Sequence, residues 1–405
     1  MLALALGLLA LSPARAQAPL TGDLGLWTDA TYPAVHPPTT ACDDAGVCAA
    51  FWPISLDAQN AQIDLVGAVV SPSGVTAPAV LRRGGWIGPP IAVGMQNGFA
   101  VFYDEIDTDP LAISATVLQL FGEDLIPTRQ PILLPALGAR GITYTGTSSV
   151  ARTQDGFALL GQSAPGRGVY EYVSLAFVDM DGRLLRRPVP LTPAGINSGS
   201  ALAVQPEGNL VAVYSSQTHP TRSVCSQVFV RRIASSGRLL GPAVAVADTS
   251  CYQDFPAVGV GADGTFLVTW RSTPVNSPAA IGPAAIVAER FSRQARPLGK
   301  LFRVSQSVAV LWPVVSVDPN NHYFVVWQGL DPSGAAADIK GRWLEADGTP
   351  ITPELTLNEA QDDLDQVLPQ VAVASGGLAV VTWQITVPQN VYPFASVARV
   401  FTTPP

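Results

Sequence analysis

Pro313 to Trp327 read PVVSVDPNNHYFVVW, two strand signals around a turn. Val315 and Val317 alternate with polar or small neighbours, as a half-buried strand does. Asn320 and Asn321 supply the tolerance of positive φ that a tight hairpin needs. Tyr323 to Trp327 follow as an aromatic and β-branched run suited to a well-buried strand. With Asn321 as anchor, equivalent turn residues are Gly46, Gly98, Gly156, Gly208, Gly264 and Gly377, and the successive gaps are 52, 58, 52, 56, 57 and 56 residues.

Six residues after the anchor stands Trp52, Tyr214, Trp270, Trp327 or Trp383, and eight residues before it Pro38, Pro90, Pro256, Pro313 or Pro369. With only 8 Trp in 405 residues, chance would leave most of these places without one; four hold Trp. Two sandwich domains with similar hairpins would not keep one period along the whole chain. Repeated supersecondary units of about 40–50 residues mark the blades of a propeller. Each hairpin is followed by a third strand, such as AIVAERF (Ala285 to Phe291), DIKGRWL (Asp338 to Leu344) or SVARVF (Ser396 to Phe401). A turn and a shorter fourth strand come next, as in RPLGKLFRV (Arg296 to Val304). The unit is four strands, A to D.

The last unit has strands A, B and C and then stops at Pro405, while APLTGDLGLWTD (Ala18 to Asp29) resembles strand D of the later units. The expectation is an all-β chain: a seven-bladed β-propeller of four-stranded antiparallel blades, closed by the N-terminal strand pairing with the last blade. Closure leaves no long unpaired edge. The expected layout is a closing strand at about 18–29 and blades at about 33–84, 85–134, 135–192, 193–247, 248–305, 306–358 and 359–402. The third unit fits least well, with Gly161 where others carry an aromatic in strand B, yet Gly156 holds the period.

These units resemble the secreted bacterial β-propeller repeats whose consensus runs roughly PaVA…dG…yLVvW…DIyGaRv, best at Pro369 to Trp383 and Asp338 to Trp343. The resemblance spans nearly all of the expected mature chain. It implies the propeller fold and an exported protein. It brings no catalytic residues, because most members have no assigned activity.

Composition agrees. Hydrophobic residues make up 48% of the chain, enough for a large core, and the 36 Gly and 36 Pro are dispersed as turns. Met1 to Ala16 is an apolar run ending Ala14-Arg15-Ala16, a pattern for signal-peptide cleavage, so a mature chain of 17–405 in the periplasm or outside the cell is expected. The Arg-over-Lys bias suggests a bacterial, GC-rich source. A net charge of −8 disfavours nucleic acid and anionic membranes as partners, and no other segment is apolar enough to span a bilayer. A monomer is expected. The four cysteines fit an oxidising compartment, with Cys42–Cys48 stapling the first hairpin and Cys225–Cys251 joining two loops of one face.

Acidic loops are the candidate ligand-binding face. Asp104, Asp107 and Asp109 are expected, with Glu105, in the B-to-C loop of the second unit; Asp362, Asp363 and Asp365 in the D-to-A loop before the last; and Asp254 in an equivalent loop. All should lie around one mouth of the channel. The sequence requires no cofactor; calcium, which takes six to eight oxygen ligands, is the metal such loops would suit, though neither cluster matches an EF-hand. No catalytic motif stands out: there is no GxSxG or HExxH, and His36, His219 and His322 lack metal-ligand spacing. The resulting expectation is a non-catalytic scaffold that binds a protein or glycan through its loop face. The alternative is a polysaccharide hydrolase or lyase with acids at the channel mouth, placed in the loops at Thr218 to Ser226, Thr273 to Pro283 and Asp104 to Leu111.

Overall fold

The computed structural model describes residues 19–27, 36–55, 62–106, 113–137, 143–164, 172–192, 195–217, 225–248, 250, 252–273, 284–307, 310–330, 334, 336–359, 364–386 and 395–404. Every regular element among them is a β-strand, arranged in seven antiparallel sheets. The sixth blade shows the pattern: Leu311–Val317, Tyr323–Leu330, Ala337–Leu344 and Leu355–Thr356 pair in sequence order. The innermost strands touch one another in ring order, from the first blade through the seventh and back to the first. The fold is a seven-bladed β-propeller.

Two blades depart slightly from four strands. In the first, Gly74–Val75 and Ala79–Arg82 both pair with Ile63–Ser71. In the second, Trp86–Ile87 and Ile91–Gly94 share the innermost place beside Phe99–Ile106. The third blade, weakest in sequence, is a complete sheet of Thr143–Thr153, Gly156–Ala164, Tyr172–Val178 and Leu184–Pro190.

Each of the seven anchors has positive φ, from 67° at Asn321 to 145° at Gly156. At Gly156 a Cβ would lie 2.2 Å from the carbonyl oxygen of Val178, so this turn admits only glycine. The repeated tryptophans pack between blades. Trp52, Trp270, Trp327 and Trp383 are fully buried. Trp52 meets Ala398 and Val400 of the seventh blade, and Trp270 meets Val211 and Val213 of the fourth. Trp327 meets Leu267 and Ile286 of the fifth, and Trp383 meets Phe324 and Trp343 of the sixth.

The ring closes as expected. Leu24–Trp27 pairs antiparallel with Ala395–Thr402, Leu24 opposite Ala398 and Trp27 opposite Ser396. Arg399 reinforces the seam, donating to the carbonyls of Thr21 (3.0 Å) and Leu357 (2.8 Å). Cys42 and Cys48, facing each other across the first hairpin, are disulfide-bonded. Cys225 is also disulfide-bonded; Cys251, its expected partner, lies outside the described residues.

Candidate functional site: the channel and its rim

The seven innermost strands enclose a cavity of about 480 Å³. Its wall has two kinds of surface. Ser148 and Ser200 bring hydroxyls from the third and fourth blades, hydrogen-bonded to each other at 2.6 Å, and Thr40 and Gln370 add polar groups from the first and seventh. Pro256, Val258, Pro313 and Val314 bring apolar surface from the fifth and sixth. No Asp, Glu, Lys, Arg or His is among the described residues that line it.

At the end of the channel where the innermost strands begin, four consecutive blades share a backbone irregularity. Pairing registers shift between Ser198 and Ser200, Asp254 and Ala257, Leu311 and Val314, and Val367 and Gln370. The residue in each bulge has positive φ: Gly199 at 72°, Phe255 at 51°, Trp312 at 44° and Leu368 at 55°. The last three stand directly before Pro256, Pro313 and Pro369. Proline cannot donate to the ladder, and a bulge is where the sheet tolerates it. For a non-glycine residue this backbone conformation costs about 1–2 kcal/mol. Such strain persists where the surroundings over-determine it, often at binding sites.

Two of the bulge residues, each next to a proline that lines the channel, meet across neighbouring blades. Phe255 and Trp312, both half-buried, meet edge-to-face with ring centroids 5.5 Å apart. The Arg271 guanidinium lies 5.0 Å from the Phe255 ring centre. Arg271 is held by Asp254, its cross-strand neighbour: Nε donates to Oδ1 at 2.7 Å and Nη2 to Oδ2. The result is an aromatic platform with a neutralised ion pair beside it.

The described acids of the expected binding face lie in strands. Asp104 and Glu105 are not in a loop: the second strand of blade two runs Phe99–Ile106 and takes both in. Asp104 follows Tyr103, which takes the place of the repeated Trp, opposite Val117 as Trp270 is opposite Val287. Buried, Asp104 accepts from the Thr116 hydroxyl (2.7 Å) and the Thr147 amide (3.0 Å), tying the second blade to the third. Burial pushes its carboxyl above the ordinary range, against those bonds. Asp365 and Asp254 also lie in strands, because the innermost strands continue past their bulges. Asp365 accepts from the Ala337 amide at 2.8 Å and Asp254 holds Arg271, so the three aspartates serve three separate places. Asp107, Asp109, Asp362 and Asp363 lie outside the described residues, as do 218–224 and 274–283 of the loops expected to carry a hydrolytic site. No group of three or more His, Cys, Asp or Glu able to hold a metal is present among the described residues. His322 is buried rather than a surface loop residue: Nδ1 is 2.9 Å from Asp318 and Nε2 is 3.4 Å from Glu345.

Phe255, Trp312 and Arg271 are the rim residues that sequence reasoning missed. A signal was present: Trp312 precedes the decisive stretch by one residue and is a tryptophan outside the repeated Trp register.

No family model matches the chain, and no curated protein matches it significantly. Solved structures do match in fold. A polysaccharide lyase of family PL25, an ulvan lyase, is 10% identical with a TM-score of 0.57, covering 94% of this chain and 96% of the lyase. A protein of unknown function from Dyadobacter fermentans is 11% identical with a TM-score of 0.53, covering 95% and 98%. The GH93 α-L-arabinofuranosidase of Fusarium graminearum, solved with arabinobiose, is 12% identical with a TM-score of 0.51, covering 94% and 98%. At these identities the likeness extends to the fold alone.

Proposed function

We propose that this protein is an exported glycan-binding propeller, and that the channel rim on the face where the innermost strands begin is its binding surface. The observation that carries the reading is the Phe255–Trp312 pair, held half-buried in positive-φ bulges above the channel. Aromatic rings offer a flat apolar face to the CH side of a sugar, and the adjacent Asp254–Arg271 pair offers hydrogen-bonding groups to its hydroxyls. Disulfide bonding fits an oxidising compartment. The same fold handles glycans in the lyase and the arabinofuranosidase, although function belongs to a site and not to a fold. Binding is favoured over turnover because Asp104, Asp254 and Asp365 are each engaged at a different place and form no opposed pair of free carboxylates.

The test is a glycan panel probed for retention and for turnover, with and without a calcium chelator. A hot-spot aromatic contributes about 2 kcal/mol, roughly thirtyfold in affinity. Trp312→Ala should therefore lose retention by that order while its melting curve stays near that of the parent. Turnover abolished by Asp254→Asn would replace the binding reading with a catalytic one.

A further inference from the structure

We infer that the channel receives the uncharged terminus of a glycan chain, the terminal unit entering the ring while the next unit lies on the Phe255–Trp312 platform. The inference rests on the glycan-binding reading and adds to it the class of chain and the way it enters.

Charge comes first. The described wall of the 480 Å³ cavity has no ionisable side chain, and Arg271, a cation at the rim, is already engaged by Asp254. A carboxylate or sulfate drawn into such a space would leave water without a counter-charge, at a large desolvation cost. A neutral sugar meets no such cost. Its edge is a belt of hydroxyls and its faces are CH groups, and the wall offers partners to both. Ser148, Ser200, Thr40 and Gln370 share the ring with Pro256, Pro313 and Val314. The Ser148–Ser200 hydrogen bond is available for exchange with a ligand hydroxyl. The volume lies within the roughly 300–1,000 Å³ typical of small-molecule sites.

Topology sets the mode of entry. The innermost strands form a closed ring of seven. A chain crossing the mouth can touch the platform, but only a chain end or branch tip can fill the ring. The rim is bulky at Phe255 and Trp312 and small at the adjoining Gly199, which leaves space beside the Phe255 backbone for the entering chain.

The experiment is calorimetric titration of the full-length protein with cellotetraose, xylotetraose, maltotetraose and arabinotetraose as neutral probes and tetragalacturonate as the charged one. Each titration is run at 0.05 and 0.5 M NaCl. At least one neutral probe should bind, with affinity changing less than twofold between the two salt concentrations, and the uronate should bind at least tenfold more weakly. Ser200→Leu should lower affinity for that neutral probe at least tenfold with an unchanged melting curve, and Ser200→Thr should retain it. As a check that needs no variant, partial hydrolysis of the matching polysaccharide should raise the wild-type protein bound per unit mass in proportion to the chain ends created.

The failures are distinguishable. Equal or tighter, salt-sensitive binding of the uronate overturns the neutral class, while loss of that binding in Trp312→Ala would keep the platform. Capacity that ignores the number of ends overturns terminal entry. Binding of any probe that is indifferent to both Trp312→Ala and Phe255→Ala removes the platform, and absence of binding by every probe, neutral and charged, removes the glycan-binding reading itself. Absence of binding by every neutral probe overturns the inference.

Discussion

At Phe255 and Trp312 the backbone adopts a conformation that phenylalanine and tryptophan seldom take. This reverses the usual order of substitutions. Phe255→Ala loses the ring and keeps the strained φ, whereas Phe255→Gly loses the ring and relieves it. The glycine variant should be the more stable of the two by about 1 kcal/mol in urea denaturation, and both should bind glycan equally poorly. The opposite order would mean that the bulge relaxes once the ring is gone. A second residue-scale case is Glu289, almost fully buried beside Asp248 and accepting from the Ala247 amide at 2.9 Å. Burial, followed by the Asp248 charge, raises its carboxyl above the ordinary value, with the Ala247 bond opposing. A raised acid favours the protonated folded state, so its penalty on stability appears as pH rises through the unfolded value. The penalty is complete above the folded one. Glu289→Gln, which keeps an acceptor for Ala247, should raise the melting temperature at pH 7, and the gap should close below pH 4. Asp248 has the opposite sign. Burial opposes its ionisation, but hydrogen bonds from the Ser250 amide, the Trp270 indole and the Ser272 and Ser250 hydroxyls outweigh that and hold it low. Its contribution is lost as pH falls through its folded value.

The A–B hairpin is the unit that made the chain readable. Its turn demands positive φ and its second strand plants a large side chain between blades, so two physical requirements recur at fixed spacing and survive in the sequence. The first hairpin adds Cys42–Cys48 across its turn. Closing so short a loop removes about 2 kcal/mol worth of unfolded-chain entropy. Cys42→Ser/Cys48→Ser should lower unfolding free energy by about that amount, and a reductant should lower the parent further than it lowers the double variant. A parent indifferent to reductant would argue that the hairpin is held by its ladder alone. The rim was not legible for a related reason. Local preference argues against positive φ at Phe255, Trp312 and Leu368, and the bulge follows from the proline after each and from contact with the neighbouring blade. The acids misled in the same way. Asp104 was expected in a loop because it is polar, yet it is buried within the second strand of its blade and satisfies Thr116 and Thr147. Spacing alone cannot tell a staple between blades from a ligand.

For the whole molecule, stability depends on the seam. Six blades are each made from consecutive sequence, while the seventh takes its outermost strand from the other end of the chain. Leu26 is buried with Trp52 and Val66 of the first blade and with Ala398 and Val400 of the seventh, so the closing strand joins two cores. Without it, Ala395–Thr402 would present an unpaired edge, the template on which sheets associate. A variant lacking residues 1–29 should therefore unfold at lower denaturant and self-associate in light-scattering measurements. Its amide exchange should accelerate first in 395–402, ahead of the ladders of the third to fifth blades. A peptide spanning 18–29, added in trans, should restore protection there and reverse the self-association. If the truncated chain kept the parent's midpoint, its scattering mass and the slow exchange of 395–402, the ring would be held by contacts between innermost strands. The borrowed strand would then be a cover on the seventh blade rather than its lock.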